Sequence, residues 1–267
     1  MKKSFCAFFL GFLAFPFFAI ERHVAAQELT GREIMVRVDT REDGDDQVST
    51  STWTLINARK EKRVRKTRRY WGDYEGKDGL DTKLMVFFDY PPDVKDTGFL
   101  NWSYLDLEKD DDQWLYLPAL RKVRRIAGRD KEKAFMGSDF TFDDMGDRQV
   151  DEDAHTLLRT EELNGKPYYI VESTPKKKDY IYNKKIQWVN QETWVVPKTE
   201  FFDRKGRHLK TLQVKWQLVD KVWTWEKAEM QNHLTKHQTL VKISDVKINA
   251  GINDRTFTER TIRRGIR

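Results

Sequence analysis

The sequence predicts a mainly β protein: one large antiparallel sheet or barrel of about ten or eleven strands, covered by a few short helices. From Val48 onward the hydrophobic pattern has a period close to two, and turn signals recur at intervals of about 8–12 residues. Helical patterning is confined to Thr30 to Val38, to 134–147 and to Thr258 to Arg264. Aromatic residues are abundant: once the seven Phe of the N-terminal apolar run are set aside, nine Trp, nine Tyr and nine Phe remain. A sheet this rich in aromatics needs cover on its apolar face, and three short helices supply little. A partly unfilled cavity that accepts a ligand is the expected consequence.

The chain divides into 1–26, a secretory signal peptide, and 27–267, one domain. Lys2 and Lys3 precede an uncharged apolar run from Ser4 to Ile20, and Val24-Ala25-Ala26 offers a small-residue cleavage site before Gln27. The run is slightly short for a membrane span of about 20 residues, although an uncleaved anchor is the alternative. The expected location is therefore the periplasm, reached across the inner membrane. The single cysteine, Cys6, lies in the signal and forms no lipobox, so the remainder folds by packing without disulfides. Net charge is +6, and Lys2, Lys3, Arg22 and Glu21 account for +2 of it. That balance names no partner.

Taken in order, the elements begin with Thr30-Gly31-Arg32-Glu33, a capping box opening a helix with Ile34, Met35 and Val38 on one face. A strand is the alternative, since Ile34, Val36 and Val38 also alternate. Ser49, Ser51, Trp53 and Leu55 share one face of the first strand, and Val64 to Trp71 is a very basic second one. Lys83 to Tyr90 is almost continuously apolar and stops at Pro91-Pro92. Gly98 to Leu107 follows, then an acidic turn and the strand Gln113 to Leu117. Asn164-Gly165 marks a hairpin between His155 to Leu163 and Tyr168 to Ser173, because both residues tolerate positive φ. Three further hairpins run from Ile186 to Ile248. Only Leu120 to Asp147 and Lys176 to Asn183 interrupt the pattern.

No catalytic constellation is present, and neither a cofactor nor a metal is expected. His233 and His237 are four apart, but in a strand–turn–strand that places them about 13 Å apart at ~3.3 Å per residue, with no third ligand near. Asp139, Asp143, Asp144 and Asp147 lack the spacing of a calcium loop, and Asp143 and Asp144 suit the first turn of a short helix. Asp110-Asp111-Asp112 reads as a solvated turn. Lys60 to Arg69 holds seven basic residues, and Arg121, Lys122, Arg124 and Arg125 form a second cluster. Export argues against nucleic acid as their partner. They are solvated strand faces or contacts for acidic headgroups or an acidic protein.

Between Lys83 and Arg148 the sequence resembles the outer-membrane lipoprotein-sorting proteins, relatives of the LolA/LolB carriers. The resemblance rests on Leu84-Met85-Val86-Phe87-Phe88 and Pro91-Pro92-Asp93-Val94-Lys95. It continues through the long string from Asp112 to Ile126 and closes on Phe135-Met136-Gly137-Ser138-Asp139-Phe140 with Asp143-Asp144-Met145. Looser matches at Ile186 to Val189, Phe202 to Gly206 and Asp254 to Thr258 extend it over most of the chain. Asp96 stands where that family usually has glycine. The resemblance implies a half-open barrel closed by short helices, with a concave apolar cavity for acyl chains. It also implies a periplasmic role beside efflux-type inner-membrane transporters. A monomer is expected.

Alternation along successive strands nominates Trp53, Leu55, Met85, Phe87, Trp102, Trp114 and Tyr116 as the cavity wall, although a one-residue slip reverses such a set. Phe135, Met136 and Gly137 are the candidate lid, with Gly137 as hinge; a permanent core plug is the alternative. Two functions follow. One is a carrier or chaperone for acyl chains of lipids or lipoproteins moving toward the outer membrane. The other is a non-catalytic accessory subunit of an envelope transporter that binds protein rather than lipid. A hydrolase with an unrecognised site is a third, weaker reading.

Overall fold

Thirteen strands form one open antiparallel sheet in the computed structural model, which describes residues 28–266. The segment 1–26, expected to be a signal peptide, lies outside those residues. Helix α1 (Gly31–Asp39) opens on the expected capping box: the Thr30 amide donates to Glu33 Oε2 at 2.8 Å, and the Glu33 amide donates to Thr30 Oγ1 at 3.2 Å. The first meander comprises β1 (Asp46–Ile56), β2 (Lys62–Asp73), β3 (Leu80–Tyr90), β4 (Gly98–Tyr104), β5 (Asp112–Leu117) and β6 (Lys122–Ile126). The second comprises β7 (Asp153–Leu163), β8 (Lys166–Pro175), β9 (Tyr182–Asn190), β10 (Lys198–Asp203), β11 (His208–Val219), β12 (Val222–Asn232) and β13 (Gln238–Ile248). Helix α2 (Glu259–Arg264), capped by the Thr258 hydroxyl, ends the chain.

Within each meander every strand pairs with its sequence neighbour, and the two are joined by β1 against β13. The sheet edges are therefore β6 and β7, which lie in mid-sequence and are connected by residues 127–152. The strand number exceeds the expected ten or eleven. One reason is β6, hidden in a basic run with apolar residues only at Val123 and Ile126. The strand expected from Thr193 to Phe202 is shorter than read, because Pro197, which lacks an amide donor, leaves Thr193–Pro197 outside β10.

Cross-strand register defines two faces. On the inner face Leu84, Val86, Phe88, Phe99 and Leu115 of the first meander meet Phe201, Val214, Ala228, Met230 and Val241 of the second in one buried cluster. On the outer face Met85, Phe87 and Leu100 pack against Phe257 and Ile262 from the C-terminal segment. Strand β3 is thus covered on both sides, which is why its sequence is a continuous apolar run. Helix α1 packs Ile34 and Met35 against Val171 and Val189 at the far end of the inner face.

Candidate functional site

The inner face is occupied by the 127–152 connection, a chain of 3-10 turns at Gly128–Glu132, Phe135–Gly137, Asp143–Met145 and Val150–Glu152. It lies across the sheet where cover was expected from 134–147, as tight turns rather than a helix. An Ala134–Thr141 bridge closes a loop whose Phe135 amide donates to the Phe140 carbonyl at 2.7 Å. Met136 and Gly137 at its tip hold φ of 49° and 76°, a reversal that points Phe135 into the sheet. Phe135 is 1% exposed. Its ring lies 5.1 Å from Phe99, 5.4 Å from Phe142, 5.9 Å from Phe88 and 6.1 Å from Trp53, mostly tilted or edge-on, the favoured aromatic geometry.

Polar bonds pin this plug to both meanders. Lys210 of β11, 2% exposed, donates to Asp144 Oδ2 at 2.7 Å and to the Asp139 carbonyl at 3.0 Å. Tyr182 of β9 donates to Asp144 at 2.8 Å. Burial pushes the Asp144 carboxyl up, but Lys210 and its hydrogen bonds outweigh that and hold it below the usual carboxylate range. Asp139 accepts from Thr239 Oγ1 and pairs with His237 Nδ1, both at 2.7 Å. From the first meander Gln113 donates to the Phe142 carbonyl at 2.8 Å, Arg65 to the Met136 carbonyl and Thr82 to Asp147.

The nominated wall residues divide between the faces. Trp53 and Leu55 are on the inner face, and Trp53 packs against Phe135 and Phe140. Met85, Phe87, Trp102, Trp114 and Tyr116 are on the outer face, where Trp102 donates to the Phe257 carbonyl at 3.0 Å. Odd positions of β1 and β2 share the inner face, but β2 pairs Thr67 with Phe88 and Trp71 with Leu84, so even positions of β3 face inward. The β2–β3 turn sets this offset, since the register then runs unbroken from Asp73 opposite Thr82 to Thr67 opposite Phe88. Phe135 and Met136 pack into the inner cluster with Gly137 at the turn between them and Ser138.

Residues missed in the sequence are the plug's polar partners, Lys210 above all. Its signal was its register: it alternates with Leu212 and Val214 on an inward face, where an unpaired lysine is costly. Asp143 and Asp144 lie in the first turn of a short 3-10 helix as expected, and Asp144 is in addition the anchor for Lys210 and Tyr182. Asp111 is not solvated: it accepts from Ser103 at 2.9 Å, and burial raises its carboxyl to about 7. His233 and His237 are separated, with His233 bonded to Thr211 and lying 4.2 Å, ring to ring, from His208.

Two cavities lie away from the plug's tip. One of about 750 Å³ is on the outer face of the second meander. The other, about 320 Å³, lies between the end of α1 and the sheet and is lined by Asp39, Asp43, Asp73, Asp81 and Asp147, with Arg41 and Arg148. Burial and then mutual repulsion raise Asp43 to about 7 and Asp81 to about 6.

Comparison with known proteins places this architecture. A search of curated proteins finds no match. A crystal structure of a DUF1329 family protein from Desulfovibrio piger is 32% identical, covers 87% of this chain and 97% of its own, and superposes with a TM-score of 0.83. A domain from Vibrio parahaemolyticus, described by inference as an outer membrane lipoprotein-sorting protein, is 34% identical over 87% and 98% of the two chains, with a TM-score of 0.81. A LolA superfamily protein from Nitrosomonas europaea shares the fold at 18% identity, TM-score 0.68, over 87% and 99%. A family model described only as an uncharacterised protein matches residues 80–264. The model for DUF1329, described as a protein of unknown function, matches residues 9–147. With its open antiparallel sheet and LolA-like fold, this chain belongs to the DUF1329 family.

Proposed function

We propose that the protein is a periplasmic carrier or chaperone that holds acyl chains of lipids or lipoproteins on the inner face of its sheet and passes them across the envelope toward the outer membrane. The observation carrying this reading is the plug: an apolar side chain, Phe135, delivered by a connecting loop into an aromatic cage built by both the sheet and the loop itself. A bound chain would take the place of that ring. Displacing Phe135 costs about 1.5–3 kcal/mol of burial, and parting Lys210 from Asp144 costs ~3–5 kcal/mol. Burying a dozen methylenes returns ~10 kcal/mol at ~0.8 each, so exchange is favourable. The resemblance to a lipoprotein-sorting domain supports the same reading, and binding requires no chemistry.

The test is photolabelling with a diazirine fatty acid followed by peptide mapping, alongside mass spectrometry of lipids extracted from the purified protein. Labels on peptides bearing Phe88 and Phe99 support the carrier. A clean extract without inner-face labelling, together with tight binding to an efflux-type inner-membrane transporter, supports the alternative of an accessory subunit. What favours that alternative is the number of polar bonds holding the plug shut.

A further inference from the structure

The outer face of the second meander carries a second, independent site. Its groove, about 750 Å³, falls within the usual range of small-molecule sites, about 300–1,000 Å³. The hairpin tip at Leu163 and Asn164 forms one wall, and Thr52 and Thr54 of β1 form the other. Strands β8 and β1 are separated by five others in the sheet, yet residues from both ends of that span line the groove. Among the described residues no plug covers it.

Its electrostatics are unusual for a sheet surface. Lys215 is directly opposite Lys227, and Lys227 is directly opposite Lys242, a row of three like charges on adjacent strands. Directly opposed like charges destabilise a sheet, and the single Glu226 carboxylate, which feels all three lysines, offsets one of the three charges. Only Lys215 has a carboxylate partner within 4 Å among the described residues, Glu226 at 2.7 Å. Beyond the lysines the lining turns apolar at Leu240, Trp188, Tyr168 and Leu163. Lys198 is over the Trp188 ring at 3.8 Å, with its charge already met by Glu200 at 2.7 Å. The groove is thus cationic at its β12–β13 end and apolar at its β8–β9 end, with Glu229, Gln213 and Lys198 in the cross-strand row between Leu240 and Trp188.

We infer that this groove binds a single-chain anionic amphiphile, its acidic head against Lys227 and Lys242 and its chain reaching across the groove to the apolar end at Trp188, Tyr168 and Leu163. The site does not depend on the carrier reading, because the plug stays seated. A carboxylate neutralises two unpaired ammonium groups, and the chain removes apolar wall from water.

The experiment titrates the full chain with a pyrene-labelled fatty acid, using its uncharged methyl ester as control. Paired substitution of the exposed Lys227→Glu and Lys242→Glu should weaken acid binding roughly tenfold or more at low salt, the equivalent of ~1.4 kcal/mol. Added salt should weaken the wild type, and paired Lys→Arg changes should retain binding. Equal affinity of the double reversal, or of the ester, would overturn the inference. Loss of co-sedimentation with anionic vesicles while the free probe still binds would also overturn it, marking a membrane-docking face instead. Photolabelling separates this site from the inner one. Labels on Leu163 and Tyr168 without any on Phe88 or Phe99 support the groove and count against the carrier; the reverse pattern does the opposite.

Discussion

Lys210 shows what one residue contributes to this molecule. An ammonium 2% exposed is tolerable only because Asp144, Tyr182 and the Asp139 carbonyl surround it. Lys210→Met alone should cost ~3–5 kcal/mol in urea unfolding, because it leaves Asp144 buried without its cation. Adding Asp144→Asn should recover part of that loss, and a double variant no better than the single would show that the pair is not coupled. Phe135→Ala, which empties the aromatic cage, should cost ~3–5 kcal/mol by the same measurement. The aspartates beside α1 act in the opposite sense. Asp43 titrates near 7 and Asp81 near 6 when folded, far above their unfolded values, so the native state binds the extra protons. Their ionisation destabilises the fold, and stability should rise as pH falls from 8 to about 5. Asp43→Asn should raise Tm at pH 8, by ~2–4 °C per kcal/mol gained, and change it little at pH 5. A Tm gain equal at both pH values would rule this out.

Among the elements, the plug turn is the one whose conformation is most demanding. Gly137 has a φ of 76°, which proline cannot adopt. Gly137→Pro should therefore open the turn at Phe135–Gly137 while leaving the strands intact. Near-UV circular dichroism from the Phe135 cage should fall, far-UV signal should persist, and fatty-acid exchange should accelerate. Unchanged near-UV signal in the variant would mean the turn is not the hinge. Other elements were legible in the chain because their signals are local. Asn164-Gly165 gave a hairpin, the Thr30–Glu33 box gave α1, and the apolar run of β3 announced a strand buried on both faces. Strand β6 was not legible, because its sequence is mostly basic and its pairing partner supplies the order. The face of each strand was equally hidden. Trp53 and Met85 both sit on alternating apolar positions, and only the turn between β2 and β3 decides that they point apart. The inward register of Lys210 was legible but its partner was not, because Asp144 is 66 residues away.

At the scale of the whole molecule, α2 and the segment before it form a clasp on the outer face of the first meander. Phe257 is 2% and Ile262 1% exposed, both against Met85, Phe87 and Leu100. Removing residues 258–267 should uncover that apolar patch, lower Tm by several degrees and raise binding of an apolar dye. Unaltered dye binding would show the clasp to be superficial. The pairing of β1 with β13 has a consequence of another kind, for the order of events along the chain. Trp53 meets Val241 across a gap of nearly the whole sequence, so the central seam joins the first strand made to the last. Contacts of such long range are slow to form, because the intervening loop entropy must be lost first. Until the final strand emerges, β1 is an unsatisfied edge rather than an interior strand, and the sheet stays as two incomplete halves. A nascent chain of this design can form each meander from local hairpins but closes its central seam only when synthesis is nearly complete.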